Sequence, residues 1–255
     1  MPKVDAIGGS AAGIYINNEP RVGSLYRGIS QEDFDRRIQS VFKDLQEQWN
    51  GIPFEVANDG DVTAIAGSMA INDSAVLGIS MGTSLAAGYI DGQNNIKGWL
   101  NELAFVPVDY RTECAADEWS GDIGCGVQYF SQQAVGRLIP ASGLEIDNAM
   151  ALPEKLEAVQ DKMKKGDERA ADIYETIGTY FGYTIAHFHD FYDFRNLLFL
   201  GRVSSGEGGE LILKKTRNVL NEEFPKLSEK IKFQTPDEKT KRHGQAIAAA
   251  SLPRL

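Results

Sequence analysis

Two short segments carry the residues of this chain that could do chemistry. The first is the dipeptide Asn58-Asp59, which ends an apolar stretch. The second is the tripeptide Gly82-Thr83-Ser84, which interrupts a longer apolar run. A carboxylate can accept the proton of a hydroxyl, and the backbone N–H groups of a glycine turn can hold phosphate oxygens. Together, the two segments predict a cleft in which a phosphoryl group is transferred to a hydroxyl.

Each segment also has a purely structural interpretation. An aspartate that follows an asparagine at a strand end is equally typical of a helix cap, because both side chains accept hydrogen bonds from free backbone N–H groups. A Gly-Thr-Ser sequence between two strands is usually only a hairpin turn. The phosphate-binding interpretation of Thr83 therefore depends on Asp59 being the base.

The hydrophobic periodicity predicts strands that alternate with helices. Residues 5–16 read as a strand, a small-residue turn and a second strand, and residues 31–49 have helical spacing. The next elements are a strand, a small-residue helix and a hairpin, at residues 54–58, 62–71 and 75–91. Later helices are predicted at residues 127–138, 152–164, 168–190, 207–222 and 243–252, with a buried strand at 196–201. This order indicates a mixed α/β fold.

Composition limits the possible partners and compartments. The chain has 255 residues and a formal net charge of −10, which argues against a nucleic-acid surface because phosphate binding needs a concentrated basic patch. No apolar run approaches the length of a membrane span, so no membrane partner is expected. With only two cysteines the chain has no disulfide framework, and the cytoplasm is the expected compartment.

The order and spacing of these segments resemble the ROK family of sugar kinases. Five features carry the resemblance: the AIGGSAAG segment at 6–13, the Asn-Asp pair, the Gly-Thr-Ser turn, an NELAF segment and the glycine of LFLGRVS. The resemblance implies that Asp59 is the general base and that Asn58 and Glu102 bind the sugar. It also implies nucleotide-binding roles for the two glycine turns, whose residues are Gly82, Thr83, Ser84 and Gly201.

The family resemblance carries expectations for the whole molecule. It implies a two-lobe, actin-like (RNase H-like) ATPase fold, with residues 1–70 and 241–255 in a small lobe and residues 71–240 in a large lobe. ATP and Mg²⁺ are the implied cofactors, a hexose is the implied substrate, and a homodimer is expected. The implied reaction is ATP-dependent phosphorylation of a hexose hydroxyl by a glucokinase-like transferase.

Four departures from the family pattern qualify this expectation. The chain starts at what resembles the family's fourth strand, without the first phosphate loop, so an N-terminally incomplete fold and weak activity are expected. Phe105 stands where the family has a histidine, and Val127 replaces a sugar-contacting glutamate. Only Cys114 and Cys125 remain of the zinc loop, so no bound zinc is expected. The alternative is a non-catalytic sugar-binding or regulatory protein of the same family.

Overall fold

The structure, a computed structural model, describes residues 4–26, 28–235 and 238–253. The chain divides into two compact units. The first unit comprises Met1–Gly78, Gly88–Asn101 and Pro236–Leu255, and the second comprises Ile79–Ala87 and Glu102–Thr235. The expected lobe boundaries, 1–70 with 241–255 and 71–240, stay a prediction. No helix in the described ranges is both long enough and apolar enough to span a bilayer.

The first unit begins with two small sheets. Strands β1 (Ile7–Ala11) and β4 (Phe54–Asn58) pair in parallel, so Ala11 lies opposite Asn58. Strands β2 (Ile14–Ile16) and β3 (Glu19–Val22) form an antiparallel pair. A 3-10 turn at Ser24–Tyr26 follows. The parallel pairing places the end of β4, and hence Asn58, beside the turn that leaves β1.

Four helical elements complete the first unit. Helix α1 (Gln31–Asp33) continues into a π-helical turn at Phe34–Ile38, and α2 spans Val41–Gln48. Helices α3 (Asp59–Ile71) and α9 (Glu238–Ala250) pack together through a small buried cluster. Its members are Val62, Ala66, Ala248 and Ala249. Gly8 of β1 approaches α9 so closely that an added Cβ would lie 1.7 Å from the Ala249 carbonyl oxygen.

A four-stranded sheet has the strand order β6-β5-β7-β8. Strands β5 (Val76–Met81) and β6 (Leu85–Ile90) are largely buried and are joined by a three-residue turn. Strands β7 (Asn196–Leu200) and β8 (Lys232–Gln234) pair in parallel. Ten of the twelve residues in β5 and β6 are buried, as expected for strands that are covered on both faces.

The remaining helices belong to the second unit. They are α4 (Gln132–Ser142), α5 (Leu152–Lys164), α6 (Glu168–His189), α7 (Gly206–Glu223) and α8 (Pro225–Ser228), with a 3-10 turn at Gly126–Gln128. Helix α6 carries an aromatic core in which Phe181 packs on Phe130 and Phe199, at ring-centroid distances of 5.3 and 5.7 Å. Burial of large aromatic rings is a main source of stability in such a core.

Most predicted elements are confirmed, with three differences. The helix predicted at 127–138 is a 3-10 turn followed by α4, because Ser131 caps a new helix by accepting a hydrogen bond from the Gln133 N–H at 3.0 Å. The helix predicted at 31–49 is interrupted between α1 and α2. Strands β3 and β8 were not predicted, because their polar side chains hide the period of two.

Candidate active site

Asn58 is the last residue of β4 and the N-cap of α3. Because it holds both elements, it also fixes the position of the next residue, Asp59. Its Oδ1 accepts a hydrogen bond from the Gly60 N–H at 2.7 Å, and its Nδ2 donates to the Gly13 carbonyl oxygen at 2.8 Å. The cap satisfies one of the free N–H groups at the helix start and ties β4 to the turn after β1. The structure thus gives Asn58 a capping role, and its contact with a sugar hydroxyl stays a prediction.

Asp59 is the first residue of α3 and is half-buried. One carboxylate oxygen accepts a hydrogen bond from the Gly60 N–H at 3.0 Å, and no ion pair to this carboxylate occurs in the described part of the chain. Gln245 of α9 donates to the Asp59 carbonyl oxygen at 3.2 Å and to the Thr63 hydroxyl at 3.0 Å. The backbone of Asp59 is therefore held from α9, while its carboxylate keeps most of its hydrogen-bonding capacity.

Tyr15, which the sequence did not single out, is influenced by the charge of Asp59. The Tyr15 hydroxyl donates to the Ala12 carbonyl oxygen at 3.0 Å and lies 3.5 Å from the Tyr26 hydroxyl. Burial, the hydrogen bond with Tyr26 and the nearby charge of Asp59 all raise the pKa of Tyr15. Tyr15 therefore keeps a neutral hydroxyl, and Asp59 is one of the groups that favour this state. A tyrosine in a short strand has no local signal that would reveal this position.

The two predicted nucleotide turns lie together in the second unit. Thr83 and Ser84 are exposed, and the Gly82 N–H donates to the Ser84 carbonyl oxygen at 2.9 Å. Gly201, which follows β7, has a φ of 103°. An added Cβ on Gly201 would lie 2.3 Å from the carbonyl oxygen of Met81, the residue before Gly82. Only glycine fits at this close approach, and the two turns are held side by side at the ends of β5 and β7.

Glu102 opens the second continuous stretch of the second unit. It is half-buried, and its carbonyl oxygen accepts a hydrogen bond from the Phe105 N–H at 3.1 Å. Phe105 itself packs on Trp119 with 5.1 Å between ring centroids, and Val127 is buried. At these two departures from the family pattern the structure therefore has a half-buried aromatic residue and a buried aliphatic one. The sugar contact of Glu102 stays a prediction.

Side chains around the two cysteines form a polar network in which Asp109 accepts most of the hydrogen bonds. Asp109 is buried, and its carboxylate accepts hydrogen bonds from Arg111 Nε at 3.0 Å and from the Tyr129 hydroxyl at 2.8 Å. The guanidinium of Arg111 is the largest influence that holds the pKa of Asp109 well below its usual range, and hydrogen bonds from Cys114 and Tyr129 add to it. Burial acts in the opposite direction. The network anchors the loop between Glu102 and α4 to α6, because the Arg111 guanidinium also donates to the Tyr180 hydroxyl at 3.2 Å.

Both cysteines are free thiols within this region. Cys125 is buried, which raises the pKa of its thiol, and Cys114 is half-buried. Among the described residues, no group of three or more His, Cys, Asp or Glu side chains is placed to hold a metal ion. The absence of bound zinc stays a prediction, because it concerns the protein in solution.

Comparison with solved structures defines the fold. A ROK hexokinase from Thermus thermophilus superposes with a TM-score of 0.70 at 18% identity, covering 96% of this chain and 77% of that one. A ROK glucokinase from Streptomyces griseus, in complex with glucose and AMPPNP, gives 0.68 at 21% identity, covering 99% and 82%. At these identities the likeness shows the fold, which is the mixed α/β fold of actin-like ATPases.

The family follows from the sequence. A profile of the ROK family matches residues 27–251, and the chain therefore belongs to this family. The family is functionally mixed, since a ROK transcriptional regulator, a homologue of the E. coli MLC protein, also superposes with a TM-score of 0.68 at 16% identity, covering 96% of this chain and 61% of that one. No curated protein matches the sequence significantly.

Proposed function

We propose that this chain is an ATP-dependent sugar kinase that phosphorylates a hexose hydroxyl. The observation that supports it best is the placement of Asp59. Its carboxylate opens α3, is half-buried and has no ion pair in the described part of the chain. A carboxylate that is not neutralised by a cation keeps its ability to accept a proton, which is what a general base requires.

In the proposed reaction, Asn58 and Glu102 hold the sugar while Asp59 accepts the proton of the attacking hydroxymethyl oxygen. Backbone N–H groups near Thr83 hold phosphate oxygens, while the Gly82 N–H already donates to the Ser84 carbonyl oxygen. The Gly201 turn leaves room for the adenosine. Mg²⁺ arriving with the nucleotide would offset the charge that develops on the transferred phosphoryl group. The described residues offer no cluster of metal ligands, which fits an ion held mainly by phosphates and water.

The test is an assay of hexose-dependent ADP release over a panel of hexoses. Asp59→Asn is expected to lower kcat by roughly 10²–10⁴-fold, while sugar affinity measured by calorimetry changes much less, because an amide still hydrogen-bonds a hydroxyl. Glu55→Gln is the matched control, since it removes an exposed carboxylate from β4, the strand that leads into Asp59. Turnover that is the same in Asp59→Asn as in the wild type contradicts the assignment of the base.

A second candidate is a non-catalytic, sugar-responsive protein. It is favoured by Phe105 and Val127, which are apolar at positions where the ROK kinases have polar residues, and by the likeness of the fold to a ROK transcriptional regulator. Sugar binding without any ADP release would support this candidate. In either case we infer a cytoplasmic homodimer that binds no nucleic acid through the present chain, which light scattering and a gel-shift assay check.

A further inference from the structure

Gln132, the first residue of α4, is a buried polar side chain without a partner. Its exposed fraction is 0%, and neither its Oε1 nor its Nε2 finds a hydrogen-bond partner among the described residues. Buried amides in native proteins almost always have a hydrogen-bond partner, so an exception calls for an explanation. Val135 and Ile139, on the same helical stripe, are buried apolar residues. A polar residue on this stripe is costly unless it serves another purpose.

The backbone places Gln132 against the proposed phosphate turn. Its N–H donates to the Gly82 carbonyl oxygen at 2.9 Å. The other N–H groups at the start of α4 already have partners, since that of Gln133 donates to Ser131 Oγ at 3.0 Å and that of Ala134 to the Ser131 carbonyl oxygen at 3.1 Å. The lack of a hydrogen-bond partner is therefore specific to the Gln132 side chain and is not shared by the backbone at this helix end.

The next residue, Gln133, is a glutamine whose side chain does have a hydrogen-bond partner. Gln133 is half-buried, and its Oε1 accepts a hydrogen bond from Gln128 Nε2. Gln132 has no such bond, so a change of rotamer would break no side-chain hydrogen bond. Movement of this side chain toward a ligand therefore costs no hydrogen bond.

We propose that Gln132 is a phosphate-binding residue, whose amide Nε2 donates to a phosphoryl oxygen of a ligand seated on the turn Gly82-Thr83-Ser84. The proposal deepens the proposed function and rests on it for the position of the phosphate. A side chain next to Gly82 is within reach of this turn, and an amide N–H is a suitable donor to an anionic oxygen. The ligand class is a polyphosphate, either free or as part of a nucleotide.

The experiment measures binding and thermal stability with two probes, inorganic tripolyphosphate and ADP. Gln132→Met replaces the amide by an apolar group of similar size. We expect its melting temperature to equal or exceed that of the wild type, because an unsatisfied buried amide is removed. We expect its affinity for both probes to fall at least about tenfold, since a hydrogen bond to a charged group is lost.

Gln133→Met is the matched control, because it removes the same group at the next position, where the side chain is paired. It should lower the melting temperature and leave probe affinity unchanged. Gln132→Glu is the second variant, with nearly the same shape and a negative charge. It should bind both probes more weakly than Gln132→Met, because like charges repel.

The outcomes separate this proposal from the sugar kinase assignment. If Gln132→Met loses stability and keeps wild-type affinity, or if Gln132→Glu binds the probes like the wild type, the amide has a structural role and the proposal is wrong. Failure of the wild type to bind either probe also overturns it. Hexose-dependent turnover does not enter these readouts, so probe binding that depends on Gln132 without any turnover would support the proposal and contradict the kinase.

Discussion

The polar network around Asp109 leads to a measurable stability prediction. In the Asp109→Asn variant one acceptor oxygen becomes an amide donor, which then faces the donors of Arg111 and Tyr129. Arg111 is largely exposed, so water screens its ion pair with Asp109. The magnitude expected here comes from the buried charge-assisted hydrogen bond that Tyr129 donates at 2.8 Å. Such a bond contributes about 1.5–3 kcal/mol. We expect Asp109→Asn to lower the free energy of unfolding by about 2–3 kcal/mol.

A double-mutant cycle assigns this loss to the bond. Tyr129→Phe alone should cost about 1.5–3 kcal/mol, and the double variant should cost less than the sum because both changes remove the same interaction. Urea unfolding followed by circular dichroism gives each value. Glu113→Gln, which changes an exposed carboxylate of the same loop, should stay within about 0.5 kcal/mol of the wild type. An additive cycle, or an Asp109→Asn variant as stable as the wild type, would refute the reasoning.

The same network predicts a pH dependence. The pKa of Asp109 is lower in the folded protein than in the unfolded chain, chiefly because Arg111 donates hydrogen bonds to the carboxylate. The unfolded chain therefore binds the proton more tightly, and the stability that Asp109 contributes is fully present above its unfolded pKa of about 3.9. The stability difference between wild type and Asp109→Asn should shrink as the pH falls below about 4 toward the folded pKa. A difference that stays constant down to about pH 2 would contradict this account.

Three further predictions concern single sites. Gly201→Ala should cost at least about 1–3 kcal/mol, because φ is 103° and the new Cβ meets a backbone carbonyl; Gly166→Ala, at φ 78° with open space around it, should cost less in the same thermal unfolding assay. Tyr15→Phe should leave the tyrosinate absorbance at about pH 11 unchanged, since the raised pKa of Tyr15 keeps its hydroxyl protonated at that pH. A lower tyrosinate absorbance in the variant would show that Tyr15 titrates normally. Elemental analysis should find no stoichiometric zinc, because Cys114 and Cys125 supply at most two ligands; about one zinc per chain would contradict this.

Local sequence patterns predicted much of the fold. The strand at 54–58 and the helix at 152–164 have the predicted boundaries. In both cases the signal is local, since an apolar run or a helical spacing is complete within the segment. The same holds for Asn58, whose capping geometry depends on the next two residues.

The features that the sequence did not reveal depend on long-range contacts. Strand β8 exists because it pairs with β7, and its own residues are mostly polar. The electrostatic influence of Asp59 on Tyr15 joins the start of a helix to a strand 44 residues earlier. The unpaired side chain of Gln132 is defined by surroundings that the sequence does not show. The turn at Gly201 was predicted because a glycine that follows a strand is a local signal. The physical reason for a glycine there, the close approach of the β5 backbone, lies far away in the sequence.

The packing of α9 on α3 has a consequence for how the protein is made. Gln245 and Asp59, which this packing joins, are 186 residues apart. At a synthesis rate of about 5–20 residues per second, α3 waits about 10–40 s on the ribosome before α9 exists. During that interval the second unit, mostly a continuous stretch, can fold, while Val62 and Ala66 lack their later partners Ala248 and Ala249. The nascent chain therefore exposes this apolar face of α3 until α9 has been synthesised, and chaperones that recognise exposed apolar segments are expected to bind there.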